Sequence, residues 1–321
     1  MNPFEYKRAG NVAEAIRDNG GQDGHRYLGG GTNLIDLLKY DVEKASQLVD
    51  VTRLDLYKIE SLPDGGLRIG ALVKNTDLAA NPEVVQHFPV LSKALLSGAS
   101  PQLRNLATTG GNLLQRTRCY YFYDTALPCN KREPGSGCPA IEGYNRIHAI
   151  LGQSDQCIAV HPSDMAVAMR SLDAVVNVEG PKGKRTIPIA EFHRLPGNTP
   201  QIDTNLGVGE LITSVDLPAA ARSDKASYVK VRDRQSYAFA LVSVGAFKDA
   251  GGNVRICLGG VAHKPWRAEK AEAYLKGKPM NAETYRAAAE AELAGAHGYK
   301  HNEFKIELAK RTIVRALTEI A

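Results

Sequence analysis

A chain of 321 residues is long enough for two or three domains and a sizeable core. Its 43% hydrophobic and 23% charged content is that of a globular protein, and no stretch approaches the roughly 20 apolar residues that a membrane span needs. The net charge of +5 comes from 40 Lys and Arg against 35 Asp and Glu with no dense basic run, which argues against a nucleic-acid groove.

The opening stretch "MNPFEYKRAGNVAEAIRDNG" lacks the apolar core of a signal peptide and reads as a short strand followed by a helix near 12–18, with Val12, Ala15 and Ile16 on one face. The expectation is a chain with no export signal of its own, folded in a reducing compartment, where cysteines are more often metal ligands than disulfides. "HRYLGGGTNLIDLLK" reads as a short strand, a glycine-rich turn and a helix from about Leu34, and "SQLVDV" and "LRIGAL" as strands. "FPVLSKALLSGA" carries Val90, Leu91, Ala94 and Leu95 at helical spacing, and "SPQLRNLATTGGNLLQ" brings a second Gly-Gly turn. A cysteine-rich stretch then interrupts the pattern. "PSDMAVAMRSL" is a helix with Ser163 or Pro162 near its start and Asp164 in its first turn, followed by "AVVNVE", "RTIPI" and "ELITSVDLP". From about residue 222 the segments "ASYVKVRD", "AFALVSVGAFKD" and "NVRICLGGVA" alternate like antiparallel strands, with "DAGGN" as a hairpin turn, and two or three helices close the chain. The predicted division is 1–220 and 221–321.

The two glycine turns share one chemistry. Gly29, Gly30 and Gly31 let backbone amides approach a phosphate, Thr32 and Asn33 add side-chain donors, and a helix follows. Gly110 and Gly111, between Thr108, Thr109 and Asn112, repeat the pattern. Neither is a G-x-G-x-x-G or a P-loop motif, and either alone could be a structural turn. Together they could clamp a pyrophosphate, as in a dinucleotide cofactor.

In this order "YLGGGTNL", "LRNLATTGGNL", "HPSD" and "VGELITSVDLP" resemble the FAD-binding subunits of the molybdenum hydroxylases, the xanthine dehydrogenase family, and most of all the branch of the bacterial periplasmic aldehyde oxidoreductases. "SYAFALVSVGAF" and "LGGVAHKPWRAEKAE" look like that family's C-terminal flavoprotein domain, so the resemblance covers nearly the whole chain. It implies an α+β protein: a two-part FAD-binding domain of the vanillyl-alcohol-oxidase-like FAD fold, then a smaller domain of a three-stranded antiparallel sheet with helices. It also implies FAD-binding residues: Arg26, Tyr27, Leu28, Gly29, Gly30, Gly31, Thr32, Asn33 and Leu34 in a first pyrophosphate loop, Thr108, Thr109, Gly110, Gly111 and Asn112 in a second, Asp164 at the ribityl or ribose region, and Lys230 near the flavin.

Four of the five cysteines, Cys119, Cys129, Cys138 and Cys157, fall in one irregular stretch at C-x9-C-x8-C-x18-C. The spacing lacks the C-x2-4-C knuckles of structural zinc, and it leaves a four-thiolate iron–sulfur cluster, a zinc site and unligated or disulfide cysteines all open. Most FAD subunits of the family lack this insertion. In 4-hydroxybenzoyl-CoA reductase and the periplasmic aldehyde oxidoreductases it carries a [4Fe–4S] cluster, so the resemblance implies that Cys119, Cys129, Cys138 and Cys157 are cluster ligands in an insertion at about 115–160. Cys257, inside the apolar strand "RICLGG", reads as a core residue.

The function the resemblance implies is an electron-transfer flavoprotein subunit. A large molybdenum-cofactor partner would oxidise aldehydes, and a small [2Fe–2S] partner would pass electrons to FAD and an external acceptor in a heterotrimer. No general acid, base or nucleophile is singled out. The alternatives are a stand-alone FAD-dependent oxidase and a zinc-stabilised binding module. For location, the resemblance implies co-export to the periplasm on a partner's twin-arginine signal; the alternative is the cytoplasm.

Overall fold

The computed structural model describes residues 1–321 throughout. Three sheets organise the chain. The first is parallel: Gln47–Asp50 lies between Glu5–Arg8 and His25–Leu28. The helix Val12–Asn19 joins the two outer strands in sequence. Asn11 caps it by accepting from the Glu14 N–H at 2.9 Å, and Gly20, at φ +58°, ends it in the left-handed conformation that glycine adopts without a Cβ penalty. All four residues of the central strand are buried, and Val49 packs with Ala9, Ala15 and Leu54.

The second sheet is antiparallel, in the order Ile59–Ser61, Leu67–Gly70, Leu211–Leu217, Val175–Gly180, Gly183–Pro188. Its buried face meets a layer of helices that includes Pro89–Ser97 and Asp164–Ser171, in a core of 30 residues that contains Ile69, Phe88, Leu91, Met169 and Val215. Proline opens three consecutive helices, Pro82–His87, Pro89–Ser97 and Pro101–Arg104, where its missing N–H costs nothing. Ala94 and Leu95 of the second of these helices and Leu103 and Arg104 of the third line the cavity described below.

The third sheet differs from the expected three strands. Ala226–Val231, Val242–Lys248 and Val254–Gly259 pair antiparallel as read, but a fourth strand, Trp266–Arg267, adds to the edge through Cys257 and Leu258. Two residues are too few to show a period of two. They are fixed instead by tertiary contacts: the buried Arg267 pairs with Glu272 and, at 3.1 Å, with Asp173. Three helices, Glu269–Leu275, Ala282–Leu293 and Phe304–Ile320, cover this sheet over a separate core of 21 residues. The last buries Ala309, Ile313, Ala316, Leu317 and Ile320, and its outer face carries the ion pairs Arg311–Glu307 and Arg315–Glu319. No helix is long and apolar enough to cross a membrane. Cys257 is fully buried in the strand Val254–Gly259.

Candidate functional site

The first glycine turn leaves the parallel sheet at Leu28 and enters the helix Leu34–Lys39. The N–H groups of Gly30, Gly31, Thr32 and Asn33 have no hydrogen-bond partner within the protein. Gly31 sits at φ +72°. The Asn33 carboxamide accepts from the Arg116 N–H at 2.9 Å, while its Nδ2 is buried without a partner. A buried amide without an acceptor is costly, and four free, half-buried backbone donors beside it form a cradle for an anion.

The second turn packs directly on the first. A Cβ at Gly30 would collide with the Leu106 carbonyl, and one at Gly29 would come within 3.1 Å of Thr108 Oγ1. So the absence of side chains in the first turn serves the contact between the turns as well as access to a ligand. Thr108 caps the helix Thr109–Leu113, its Oγ1 accepting from the Gly111 N–H at 3.3 Å. Thr109 and Gly110 face away from the opening. Their N–H groups donate to the Val73 and Ala71 carbonyls at 2.9 and 2.8 Å, and both residues are behind the wall.

Between the turns opens a cavity of about 990 Å³, at the upper end of the roughly 300–1,000 Å³ usual for cofactor sites. Arg26 to Leu34, Thr108, Gly111, Asn112, Asp164 and Lys230 all line it; Thr109 and Gly110 do not. Asp164 begins the helix Asp164–Ser171, whose cap is Ser163. Its two carboxylate oxygens accept from Tyr228 Oη and Lys230 Nζ, each at 2.7 Å, and Lys230 also donates to the Ser97 carbonyl at 3.0 Å. Lys230, on the strand Ala226–Val231, and Asp164, on its helix, are thus a buried pair, and burial beside this carboxylate pushes the Tyr228 hydroxyl well above its ordinary pKa. Each carboxylate oxygen retains a second lone pair for a ligand hydroxyl. Ser163 Oγ bridges to Asn112 Oδ1 at 2.5 Å, which ties the Asp164 helix to the second turn.

Further lining residues are not legible from the motifs. The exposed rings of Tyr120, Tyr237 and Phe239 also line the cavity, and the Arg118 guanidinium lies 5.1 Å from the Phe239 ring centre. No His or Tyr cluster beside the turns can be read from chain order, yet the fold makes one. The His161 and His193 ring centres are 4.3 Å apart, and His193 Nε2 donates to the Leu113 carbonyl at 2.9 Å at the end of the second turn's helix.

The cysteine stretch is closed rather than loose. Apart from the short helix Tyr120–Tyr123 it has no regular structure, but its side chains tie it down. Arg132 donates to the carbonyls of Tyr121, Phe122 and Leu127, Asn130 bonds the Gln156 carbonyl and the Gly137 N–H, and Asn145 reaches the Ala140 carbonyl. Cys119, Cys129, Cys138 and Cys157 line one small cavity together with Phe122, Pro128 and Pro139. All four are free thiols, and none pairs in a disulfide. Burial pushes Cys119 up to about 12 and Cys157 to about 11, opposed by backbone amides that point at the sulfurs: those of Phe122 and Tyr121 at Cys119, and that of Ala159 at Cys157. No three His, Cys, Asp or Glu side chains converge closely enough to hold a single metal ion.

A buried polar network joins this stretch to the rest. Lys131 Nζ donates to Asp203 Oδ1 at 2.5 Å, to the Pro200 carbonyl at 2.7 Å and to His263 Nε2 at 2.6 Å. Arg116 holds the other oxygen of Asp203 at 2.8 Å and pairs with Glu43. Burial alone would raise Asp203, but Lys131 and Arg116 bring it well below the usual carboxylate range. His263 donates through Nδ1 to the Arg194 carbonyl at 2.7 Å, which leaves Nε2 as the acceptor for Lys131 and makes the ring neutral. Burial lowers His193 and His263 to about 4. As pH falls from about 6.5 toward 4, the unfolded chain takes up protons that these two rings refuse. Each ring then removes up to about 1.4 kcal/mol of stability per pH unit, and above pH 6.5 neither contributes. The melting temperature, followed by calorimetry from pH 7 to 4.5, is expected to fall steadily across that window; a flat profile would show that neither ring is held neutral.

Comparison with known proteins bears on this geometry. Residues 2–220 match the family described as the FAD binding domain in molybdopterin dehydrogenase, and residues 227–320 the CO dehydrogenase flavoprotein C-terminal domain. The chain is 55% identical to the aldehyde oxidoreductase FAD-binding subunit PaoB of Escherichia coli, over 99% of this chain and 98% of that one. It is 26% identical to the carbon monoxide dehydrogenase medium chain of Hydrogenophaga pseudoflava, over 98% and 96% of the two chains. The solved structure of carbon monoxide dehydrogenase from that organism, in a form that lacks the Mo-pyranopterin moiety, superposes with a TM-score of 0.76 at 26% identity and covers 99% of this chain and 98% of that one. The cavity between two glycine turns therefore has an occupant class, and the chain belongs to the FAD-binding subunits of the molybdenum hydroxylases, as the flavoprotein subunit of an oxidoreductase.

Proposed function

We propose that this chain is the electron-relay subunit of an aldehyde-oxidising molybdenum hydroxylase. The observation that carries the reading is the cavity whose Gly30–Asn33 amides and Asn33 Nδ2 lack partners within the protein, in a chain 55% identical to an aldehyde oxidoreductase FAD-binding subunit. Its donors fit the pyrophosphate of FAD. Arg26 to Leu34 and Thr108, Gly111 and Asn112 would hold that group, with Thr109 and Gly110 supporting the second turn from behind. Asp164, oriented by Lys230 and Tyr228, would accept a hydroxyl of the ribityl or ribose part. The FAD-binding part, about 1–220, would be of the vanillyl-alcohol-oxidase-like type, with the flavoprotein C-terminal part at 221–321.

The four thiols, Cys119, Cys129, Cys138 and Cys157, fit a [4Fe–4S] cluster. They ring a cavity, backbone N–H groups point at the sulfurs of Cys119, Cys138 and Cys157, and a polynuclear group suits ligands that stand around a space better than a single zinc ion does. When bound, FAD and the cluster supply the electron-carrying chemistry, and the protein supplies seats, water exclusion and local charge. Substrate would be oxidised on a large molybdenum-cofactor partner, with a small [2Fe–2S] partner between it and this chain, and the assembled heterotrimer would be co-exported to the periplasm.

The test is anaerobic mixing with an aldehyde. This chain alone should show no bleaching of its flavin band, while the co-expressed three-subunit complex should bleach within the mixing experiment. Turnover of aldehyde by the isolated chain would contradict the relay and favour a stand-alone oxidase.

A further inference from the structure

We propose that His148 is a positioning residue for the cysteine site, donating a hydrogen bond from its imidazole to the sulfur of Cys119 and so making the bound cluster easier to reduce. The inference rests on the cluster reading above and goes beyond it, since His148 is neither a ligand nor part of a motif. His148 Nε2 lies 3.0 Å from Cys119 Sγ, and the ring is buried. Its other nitrogen, Nδ1, is buried with no partner. A ligating thiolate can only accept, so the favourable arrangement puts the proton on Nε2 and leaves Nδ1 bare.

The ring does not owe its orientation to the sulfur alone. The His148 carbonyl accepts from Lys305 Nζ at 2.6 Å and from Asn302 Nδ2 at 3.2 Å. The His148 N–H donates to the Asn145 carbonyl at 3.0 Å. The rings of Tyr120 and Tyr121 flank the imidazole at 6.4 and 6.3 Å between centres. Lys305 is itself fully buried on the last helix and also donates to the Gly260 carbonyl at 2.6 Å, so the C-terminal part holds this histidine in place. Of the four cysteines, Cys119 alone has a side-chain nitrogen beside its sulfur; Cys138 and Cys157 meet backbone amides.

Reduction adds negative charge that spreads onto the cysteine sulfurs. A donor aimed at one of them stabilises the reduced form more than the oxidised form, which raises the potential. Removing it should shift the reduction equilibrium toward the oxidised form by about tenfold, which is 59 mV for a one-electron couple.

The experiment is a mediated redox titration of the three-subunit complex, followed by electron paramagnetic resonance of the reduced cluster. His148→Leu should titrate at the more negative potential, and His148→Gln, which keeps an N–H donor, should recover most of the difference. In complex labelled with ¹⁵N-histidine, pulsed resonance on the reduced parent should give a weak nitrogen coupling that is lost in His148→Gln. A His148→Leu protein that keeps its iron and titrates with the parent overturns the proposal. So does a labelled parent without the coupling, which decides the matter even if the leucine variant loses its iron. A parent that contains no iron at all fails the cluster reading itself, an outcome visible before any variant is made.

Discussion

Replacing Gly30 with valine is expected to yield a protein that purifies without FAD. A Cβ at this position points into the Leu106 carbonyl, and the Ala107 Cα is 3.3 Å away. Both neighbours are backbone, so neither can rotate aside, and the two turns must separate. That separation moves the four unpartnered N–H groups of Gly30 to Asn33 relative to Gly111 and Asn112 across the cavity. A loss of only about 1.4 kcal/mol in cofactor affinity is tenfold in occupancy at limiting flavin, and a backbone collision exceeds that. Gly111→Val should be the milder of the two. Its added Cβ meets only Thr108 Oγ1, at 2.9 Å, and a hydroxyl can turn away at the cost of one cap bond. Flavin absorbance per chain after desalting measures both. Equal retention in the two variants would mean that the contact between the turns does not shape the site.

Cys129→Ser should abolish iron binding, and Cys257→Ala should leave it untouched. Cys129 lines the small cavity with the other three thiols, whereas Cys257 is sealed in a strand of the C-terminal sheet. Loss of the Cys257 sulfur removes a packed atom and costs on the order of 1–2 kcal/mol in stability, with no effect on cofactors. The serine variant should loosen residues 118–160, because metal binding and the folding of its loop are coupled. It should not unravel them, since Arg132, Asn130, Lys131 and Asn145 hold the stretch independently of any metal. Iron analysis with hydrogen exchange across 118–160 reads both effects. Iron lost from the Cys257 variant but kept in the Cys129 variant would reverse the assignment.

Much of this was legible in the chain because it is local. The capped helix at Val12, the glycine turns and the alternating C-terminal strands each carry their signal within a dozen residues. The four cysteines announce themselves by concentration in one stretch. What escaped is what the fold decides at long range. Thr109 and Gly110 belong to the same motif as Gly111, but hydrogen bonds to Val73 and Ala71, more than 30 residues upstream, turn them from the cavity. The strand Trp266–Arg267 is too short for a period and exists because Cys257 and Leu258 present an edge. Ile59–Ser61, at the border of the second sheet with two of its three residues exposed, has no apolar pattern to read. His148, Lys131 and Lys305 look like ordinary polar residues in sequence, and only the packed structure shows them buried around the cysteine stretch. The cysteine stretch itself reads as irregular, yet it is pinned by side-chain bonds to carbonyls that no spacing rule reveals.

The most direct test is the cofactor content of the anaerobically purified complex, measured as flavin, iron and acid-labile sulfide per copy of this chain, with the same assay on a Cys129→Ser complex. The expected result is one FAD per chain in both, with about four irons and four sulfides lost from the variant and the iron of the [2Fe–2S] partner retained, as a four-thiolate cluster on this chain requires. A parent whose iron and sulfide do not change on loss of Cys129, or one that carries zinc in their place, would contradict it.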